Sequence, residues 1–405
     1  MAQAHSGVAR ASQGEADTAS ARRAGRPIWR AALAAWLGQR LLIGALVVAW
    51  QALLQTLSLA AFYRVWTLFD GIWYTLIAQY GYRIIQQAAF FPLYPLLMRA
   101  TAPLAGGNPA LAGIILSNIL SLGAFILLGR LVEAEFGPRI ARRTLLYYAI
   151  FPTGLFLAAV YTEALFLLLS VAAFLCMRQR RWLLAGALIA LATLTRAQGA
   201  LLLLPLAIEA WRALAPEWAS LAGARRLRVA LSLACAGALP LLAFLGFQLY
   251  LTHQYGVSDA MSRAAGNPEW LRYPDWPWAG IVADLATLAD GKPNPPTLEI
   301  YKDFVFLAFW LGLCIVMLLP FRPALPRSWM AYSWASLLQV LALPAHIRGG
   351  GLMSVPRYAL VVFPCLVLMA LIGVRYPRAH RLTVALSIAW MIILTRLLAG
   401  ATFVA

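Results

Sequence analysis

Four charged residues interrupt otherwise apolar sequence: Asp70, Glu163, Arg196 and Arg357. A carboxylate among apolar neighbours must stay hydrated, find a cation or take part in chemistry, because ionising it in hydrocarbon is costly. Asp70 lies in Leu68-Phe69-Asp70-Gly71-Ile72-Trp73-Tyr74 and is the first acid after Asp17. Sugars stack on aromatic faces such as those of Trp73 and Tyr74, and a carboxylate accepts a hydroxyl proton, so this stretch reads as a base beside a sugar-binding wall. The plainer account is an aspartate capping a short loop helix at an aromatic belt. Tyr161-Thr162-Glu163 places a second carboxylate between two apolar runs. Its plainer account has Thr162 capping the next helix, with Glu163 against the helix dipole.

The cations suit an anion. Arg196 sits in Thr195-Arg196-Ala197-Gln198-Gly199, a polar break between apolar runs, where a guanidinium fork either binds a phosphate or carboxylate or snorkels to the interface. His346-Ile347-Arg348-Gly349-Gly350-Gly351 precedes Ser354-Val355-Pro356-Arg357-Tyr358. Glycines allow close backbone approach to a ligand, and a basic group at a membrane border suits a lipid phosphate. An ordinary flexible loop is the alternative. His346 alone makes no metal site, and the sequence has no Gly-rich phosphate loop, HExxH pattern or Ser-His-Asp arrangement.

The elements that must hold these residues are membrane helices. The 405 residues are 62% hydrophobic and 12% charged, with a mean hydropathy of +0.75, against about 25% charged in a soluble domain. A crossing helix needs about 20 apolar residues. Eleven segments qualify, near 29–57, 111–131, 144–160, 164–178, 182–195, 198–214, 229–251, 303–320, 329–345, 357–374 and 383–403, with 9–13 as the range. With a cytoplasmic N-terminus, the inner segments hold 21 of the 33 Arg and Lys residues and the longer outer segments ten, as the positive-inside rule requires. That rule, rather than nucleic-acid binding, accounts for the net charge of +18.

This topology puts Asp70, Glu163, Arg196 and Arg357 on the outer side. It leaves two large outer loops, near 58–110 and 252–302; the second carries Trp270, Trp276 and Trp278 and is expected to lie on the outer membrane surface. The Phe90-Phe91-Pro92-Leu93-Tyr94-Pro95 run reads as a helix break where the chain re-enters the membrane. Residues 1–27 read as a disordered cytoplasmic tail and 28–405 as one integral-membrane domain. Cys176, Cys235, Cys314 and Cys365 fall in apolar runs as small core residues, and no internal repeat is evident.

Asp70 with Trp73-Tyr74, Gly81-Tyr82 and Phe90-Phe91-Pro92-Leu93-Tyr94-Pro95 resembles the first-loop signature of the PIG-V-like mannosyltransferases, the second mannosyltransferase of GPI-anchor assembly and its bacterial relatives. Ser117-Asn118, Phe151-Pro152-Thr153, Tyr161-Thr162-Glu163, Leu194-Thr195-Arg196 with Gly199, and Pro356-Arg357-Tyr358 before Phe363-Pro364 resemble the later motifs of that family, in the same order. Phe69 stands where the family often carries Trp.

The resemblance implies an all-α, polytopic GT-C glycosyltransferase. It would transfer mannose from a polyprenyl-phosphate-linked donor to a lipid or glycan acceptor at the extracytoplasmic face. Asp70 and Glu163 are the expected catalytic residues. Arg196, Arg357, Tyr358, His346, Arg348, Trp73, Tyr74 and Gln198 are expected to bind donor phosphate or substrate. No cofactor is named; a divalent cation is left open. The partners are the two substrates and membrane lipids, in the inner membrane of a bacterium or the endoplasmic reticulum of a eukaryote. The alternatives are a transporter or flippase of lipid-linked sugars, or a non-catalytic subunit of a transferase complex.

Overall fold

The computed structural model describes residues 27–220, 222–268, 270–290, 297–320, 323–347 and 350–400. Apart from Pro27, the expected N-terminal tail lies outside them. In chain order the helices are α1 (Ile28–Leu53), α2 (Leu59–Val65), α3 (Asp70–Tyr80), α4 (Leu93–Thr101), α5 (Pro109–Phe136) and α6 (Pro138–Ala149). They continue with α7 (Glu163–Arg178), α8 (Trp182–Thr193), α9 (Leu203–Leu214), α10 (Gly223–Tyr255), α11 (Ala260–Ala265) and α12 (Ala279–Ala289). The last are α13 (Thr297–Leu318), α14 (Arg327–Leu341), α15 (Val355–Leu360), α16 (Phe363–Arg375) and α17 (Pro377–Ala399). Among the described residues there is no strand, only an isolated antiparallel bridge between Arg272 and Ala345.

Among the described residues six helical stretches are long and apolar enough to cross a bilayer: Ile28–Leu53, Pro109–Phe136, Ala197–Leu214, Gly223–Tyr255, Glu299–Leu318 and Pro377–Ala399. The chain is therefore an all-α, multi-pass membrane bundle, with shorter apolar helices packed among the long ones. Helix α7 lies inside this bundle, with Glu163, Phe166, Leu167, Val171 and Phe174 all buried. Helix α8 meets α10 backbone to backbone: a Cβ added at Gly186 would lie 2.4 Å from the Cα of Ala236. Small residues at such a crossing let helices pack closely where lipid supplies no hydrophobic drive.

The stretch 144–160, a short segment read as spanning or re-entering the membrane, is broken. Helix α6 ends at Ala149, a 3-10 turn covers Gly154–Leu157, and the chain then runs irregularly to Thr162. Pro152 supplies no N–H to continue a helix. Irregular backbone survives within a bundle only where protein groups satisfy it, and here they do. Gln39 Nε2 donates to the Tyr148 carbonyl at 2.8 Å, and Arg40 Nη2 to that of Leu157 at 3.0 Å. Asn118 Nδ2 reaches the Ala158 carbonyl at 3.4 Å, and Val160 N donates to the Trp66 carbonyl at 2.8 Å. The last of these bonds ties the broken segment to the first outer loop.

Four other expectations shift. The stretch 58–110, expected as an outer loop, is largely helical, containing α2, α3 and α4. Its Pro92 and Pro95 start α4 instead of interrupting a helix, since both occupy cap or first-turn positions where no N–H is needed. The stretch 357–374 splits between α15 and α16 at Val361 and Val362. Cys235 is exposed on α10, while Cys176, Cys314 and Cys365 are buried as expected.

Candidate active site

Asp70 is the first residue of α3, and Phe69 before it holds φ at 55°, a backbone region that costs a non-glycine residue strain. The turn is clamped on both sides. Gly71 N and the Tyr161 hydroxyl both donate to the Leu68 carbonyl, at 3.1 Å each. A Cβ at Gly71 would come to 3.3 Å from the Val160 carbonyl, so the glycine lets α3 lie against the broken segment.

That segment delivers Glu163 to the same place. Glu163 opens α7 with its side chain 0% exposed. Thr162 stands at the N-cap position but makes no capping bond; its hydroxyl accepts from Arg196 Nη1 at 3.1 Å. The Glu163 Oε1 atom receives two cations, Arg196 Nη1 at 2.5 Å and Arg357 Nε at 3.1 Å. The first is an aligned hydrogen bond; the second is an ion-pair distance without hydrogen-bond alignment, since Arg357 Nε has no hydrogen-bond partner. Arg357 Nη1 then donates to Asp70 Oδ2 at 2.6 Å.

Charges therefore alternate along one chain, Asp70, Arg357, Glu163, Arg196. Its two ends differ. The Asp70 side chain is 20% exposed, and among the described residues its Oδ1 has no hydrogen-bond partner. Glu163 Oε2 is buried and unpartnered. A carboxylate touching substrate belongs at the open end, and one that orients a guanidinium belongs at the closed end.

Aromatic residues frame this chain. Tyr358 has Arg196, Arg357 and Arg272 over its ring at 5.2, 5.9 and 6.0 Å, within cation–π range. Arg357 also lies 5.5 Å from the Tyr161 ring centroid. Trp73 is half-buried, stacked on Phe90 at 5.7 Å and edge-on to Trp270 at 5.8 Å. Tyr74 is buried, and its ring meets Phe90 and Tyr94 edgewise. Burial, helped by the Asp70 charge, pushes the Tyr74 hydroxyl well up, so it stays neutral.

The structure thus brings Asp70, Glu163, Arg196, Arg357, Tyr358 and Tyr74 together, with Trp73 on the same helix as Asp70. Gln198, two residues past Arg196, is buried with neither amide atom partnered. His346 stands apart from the charge chain: its ring stacks on Tyr273 at 3.6 Å and its Nε2 lies 3.6 Å from Asp275 Oδ2. Arg348 lies outside the described residues.

Two residues here were not singled out by the sequence. Arg40, inside the first span, donates to Asn118 Oδ1 at 2.6 Å, to Ser121 Oγ at 2.5 Å and to Gln39 Oε1, and so holds the irregular segment in place. A charge within a span was the available signal for it. Arg272 had no such signal, being one cation among several in a polar outer loop. Among the described residues no group of three or more His, Cys, Asp or Glu side chains converges as metal ligands.

The family model described as mannosyltransferase (PIG-V) matches residues 45–274, which include Asp70, Glu163, Arg196 and Arg272. The chain belongs to this family. A family member named GPI mannosyltransferase 2, from Chaetomium globosum, is 28% identical over 280 residues, covering 60% of this chain and 58% of that protein. Another of that name, from Yarrowia lipolytica, is 39% identical over 101 residues, 24% of this chain and 28% of that protein. The chain thus spans less than two thirds of either relative. A crystal structure of the Archaeoglobus fulgidus oligosaccharyltransferase aligns over 84% of this chain and 48% of its own, at 14% identity and a TM-score of 0.39, too distant to inform the site.

Proposed function

We propose that the protein is a membrane mannosyltransferase that moves mannose from a polyprenyl-phosphate donor to a hydroxyl of a lipid-linked or glycan acceptor at the extracytoplasmic face. The observation that carries this reading is the ionic chain ending at Asp70, whose side chain is 20% exposed and whose Oδ1 has no hydrogen-bond partner among the described residues. Family membership supports the sugar, and the names of the two relatives support an acceptor of glycolipid type. The outer face and a cytoplasmic N-terminus rest on the distribution of Arg and Lys.

In this reading the acceptor oxygen attacks the anomeric carbon with inversion while Asp70 takes its proton. The bond from the anomeric carbon to the phosphate oxygen breaks, and the electron pair leaves with the polyprenyl phosphate. Base catalysis of this kind contributes on the order of 10²–10⁴-fold. Fixed guanidiniums at the leaving group stabilise the charge as it develops, without reorganising water. Arg357 fixes the carboxylate at one oxygen and leaves the other for the acceptor. Glu163 holds Arg357 and Arg196 and is assigned a positioning role.

The test is purified protein in liposomes with labelled polyprenyl-phosphate-mannose and a panel of glycolipid acceptors. The expected result is a new glycosidic linkage, detected by mass spectrometry. Transbilayer movement of the donor without any new linkage overturns the reading in favour of a transporter.

A further inference from the structure

We infer that Arg272 is the guanidinium that binds the donor phosphate. This rests on the reading above and assigns its anion site to a residue of the second outer loop. Arg196 and Arg357 are each neutralised, sharing Glu163 and Asp70 at 2.5–3.1 Å. Arg272 has no carboxylate within ion-pair distance among the described residues. Its Nη1 donates to the Leu343 carbonyl at 3.0 Å and its Nη2 to that of Met353 at 2.9 Å. Neither Asp303 nor Asp284 lies within ion-pair distance of it. Asp303 sits 3.8 Å from Lys302 Nζ, and Asp284 accepts from Gly351 N and Leu352 N at 2.8 and 3.0 Å.

Around Tyr358 three guanidiniums thus face two carboxylates, leaving one positive charge. A polyprenyl phosphosugar is a phosphodiester with one negative charge, and the polyprenyl phosphate released carries up to two. The excess charge matches the donor and favours the leaving group as the ester bond breaks. A guanidinium is the side chain best shaped to bind two phosphate oxygens at once.

Backbone strain marks the same spot. Five described non-glycine residues have positive φ: Gln55, Phe69, Arg180, Leu271 and Ser354. Phe69 and Leu271 immediately precede Asp70 and Arg272, and Ser354 lies three residues before Arg357. Strain of about 1–3 kcal/mol at a residue persists only where its surroundings enforce it, and such residues concentrate at functional sites. Leu271 (φ 39°) is held by its N–H on the Asn267 carbonyl at 2.7 Å and by His346 N on its own carbonyl at 2.9 Å.

Direct binding separates this assignment from the proposed transfer reaction. Wild type, Arg272→Gln and Arg272→Lys, in detergent, are titrated with polyprenyl monophosphate, with the uncharged polyprenol and with inorganic phosphate. Losing a charge-assisted contact should weaken polyprenyl monophosphate binding to Arg272→Gln by about 10- to 100-fold. Polyprenol binding should stay at the wild-type level, and Arg272→Lys, which keeps the charge without the fork, should fall between. Equal weakening of the phosphate and the alcohol shows a merely structural role through Leu343 and Met353 and overturns the assignment. So does unchanged phosphate binding in Arg272→Gln. Inorganic phosphate binding as tightly as the lipid phosphate overturns a lipid donor at this site. If Arg272→Gln does not fold, the same comparison is made with Arg272→Lys. Failure of mannose transfer by the wild type bears only on the proposed function.

Discussion

Arg357 Nη1 lies 2.6 Å from Asp70 Oδ2 across 287 residues of sequence. The pair joins the region between α1 and α5 to α15, and Glu163 joins both to the middle of the chain through Arg357 and Arg196. Neither carboxylate has a lysine in its place of contact. Guanidiniums, with several donors in a rigid plane, can serve a carboxylate and a second group together, as Arg196 does with Glu163 and Thr162.

Asp70→Asn keeps the side-chain volume and removes the base. Mannose transfer should fall on the order of 10²–10⁴-fold, while thermal unfolding in detergent stays close to wild type because Glu163 still engages Arg357. Activity retained within about tenfold shows that another group takes the proton.

Glu163→Gln should be the more damaging change to stability. It leaves Arg196 and Arg357 without their shared buried acid, and breaking a buried ion pair on one side costs about 3–5 kcal/mol. Adding Arg196→Gln to it should recover part of that loss. A double variant as unstable as the sum of the two single ones shows that the pair is not coupled.

The Asp284 contact predicts a pH trend. Burial pushes the Asp284 carboxyl up, against the opposing pull of the Gly351 and Leu352 N–H groups. A folded value above the unfolded one, about 3.9, means that this position contributes fully below the unfolded value. The contribution is lost as pH rises through the folded one. Asp284→Asn does not titrate there, so the melting-temperature gap between wild type and variant should narrow as pH rises above about 4. A gap that widens with pH contradicts a raised carboxyl.

Chelation addresses the cation that the sequence left open. With arginines neutralising the donor phosphate, transfer in the presence of EDTA should match the untreated rate. A loss on the order of 10²-fold or more, the size expected when an electrostatic stabiliser is removed, assigns that work to a divalent cation instead.

The sequence determined the class of molecule and the identity of most charged residues at the site. Twenty-residue apolar runs can be stable only as membrane helices, and charges among them are too costly to be incidental. Asp70, Glu163, Arg196 and Arg357 were legible for that reason, as was their order along the chain. Their roles were not, because a carboxylate at an open end and one sealed between two arginines look alike in sequence.

Only the tertiary structure separated Asp70 from Glu163, and only it showed that 144–160 is not one helix. The local pattern there is mostly apolar and Pro152 marks a point where a helix can break, but what satisfies the broken backbone is distant: Gln39, Arg40 and Asn118 offer partners to the carbonyls of Tyr148, Leu157 and Ala158. Arg272 was equally out of reach of sequence reasoning. Its significance is that no carboxylate among the described residues pairs with it, a property of the space around a side chain and not of its neighbours in the chain.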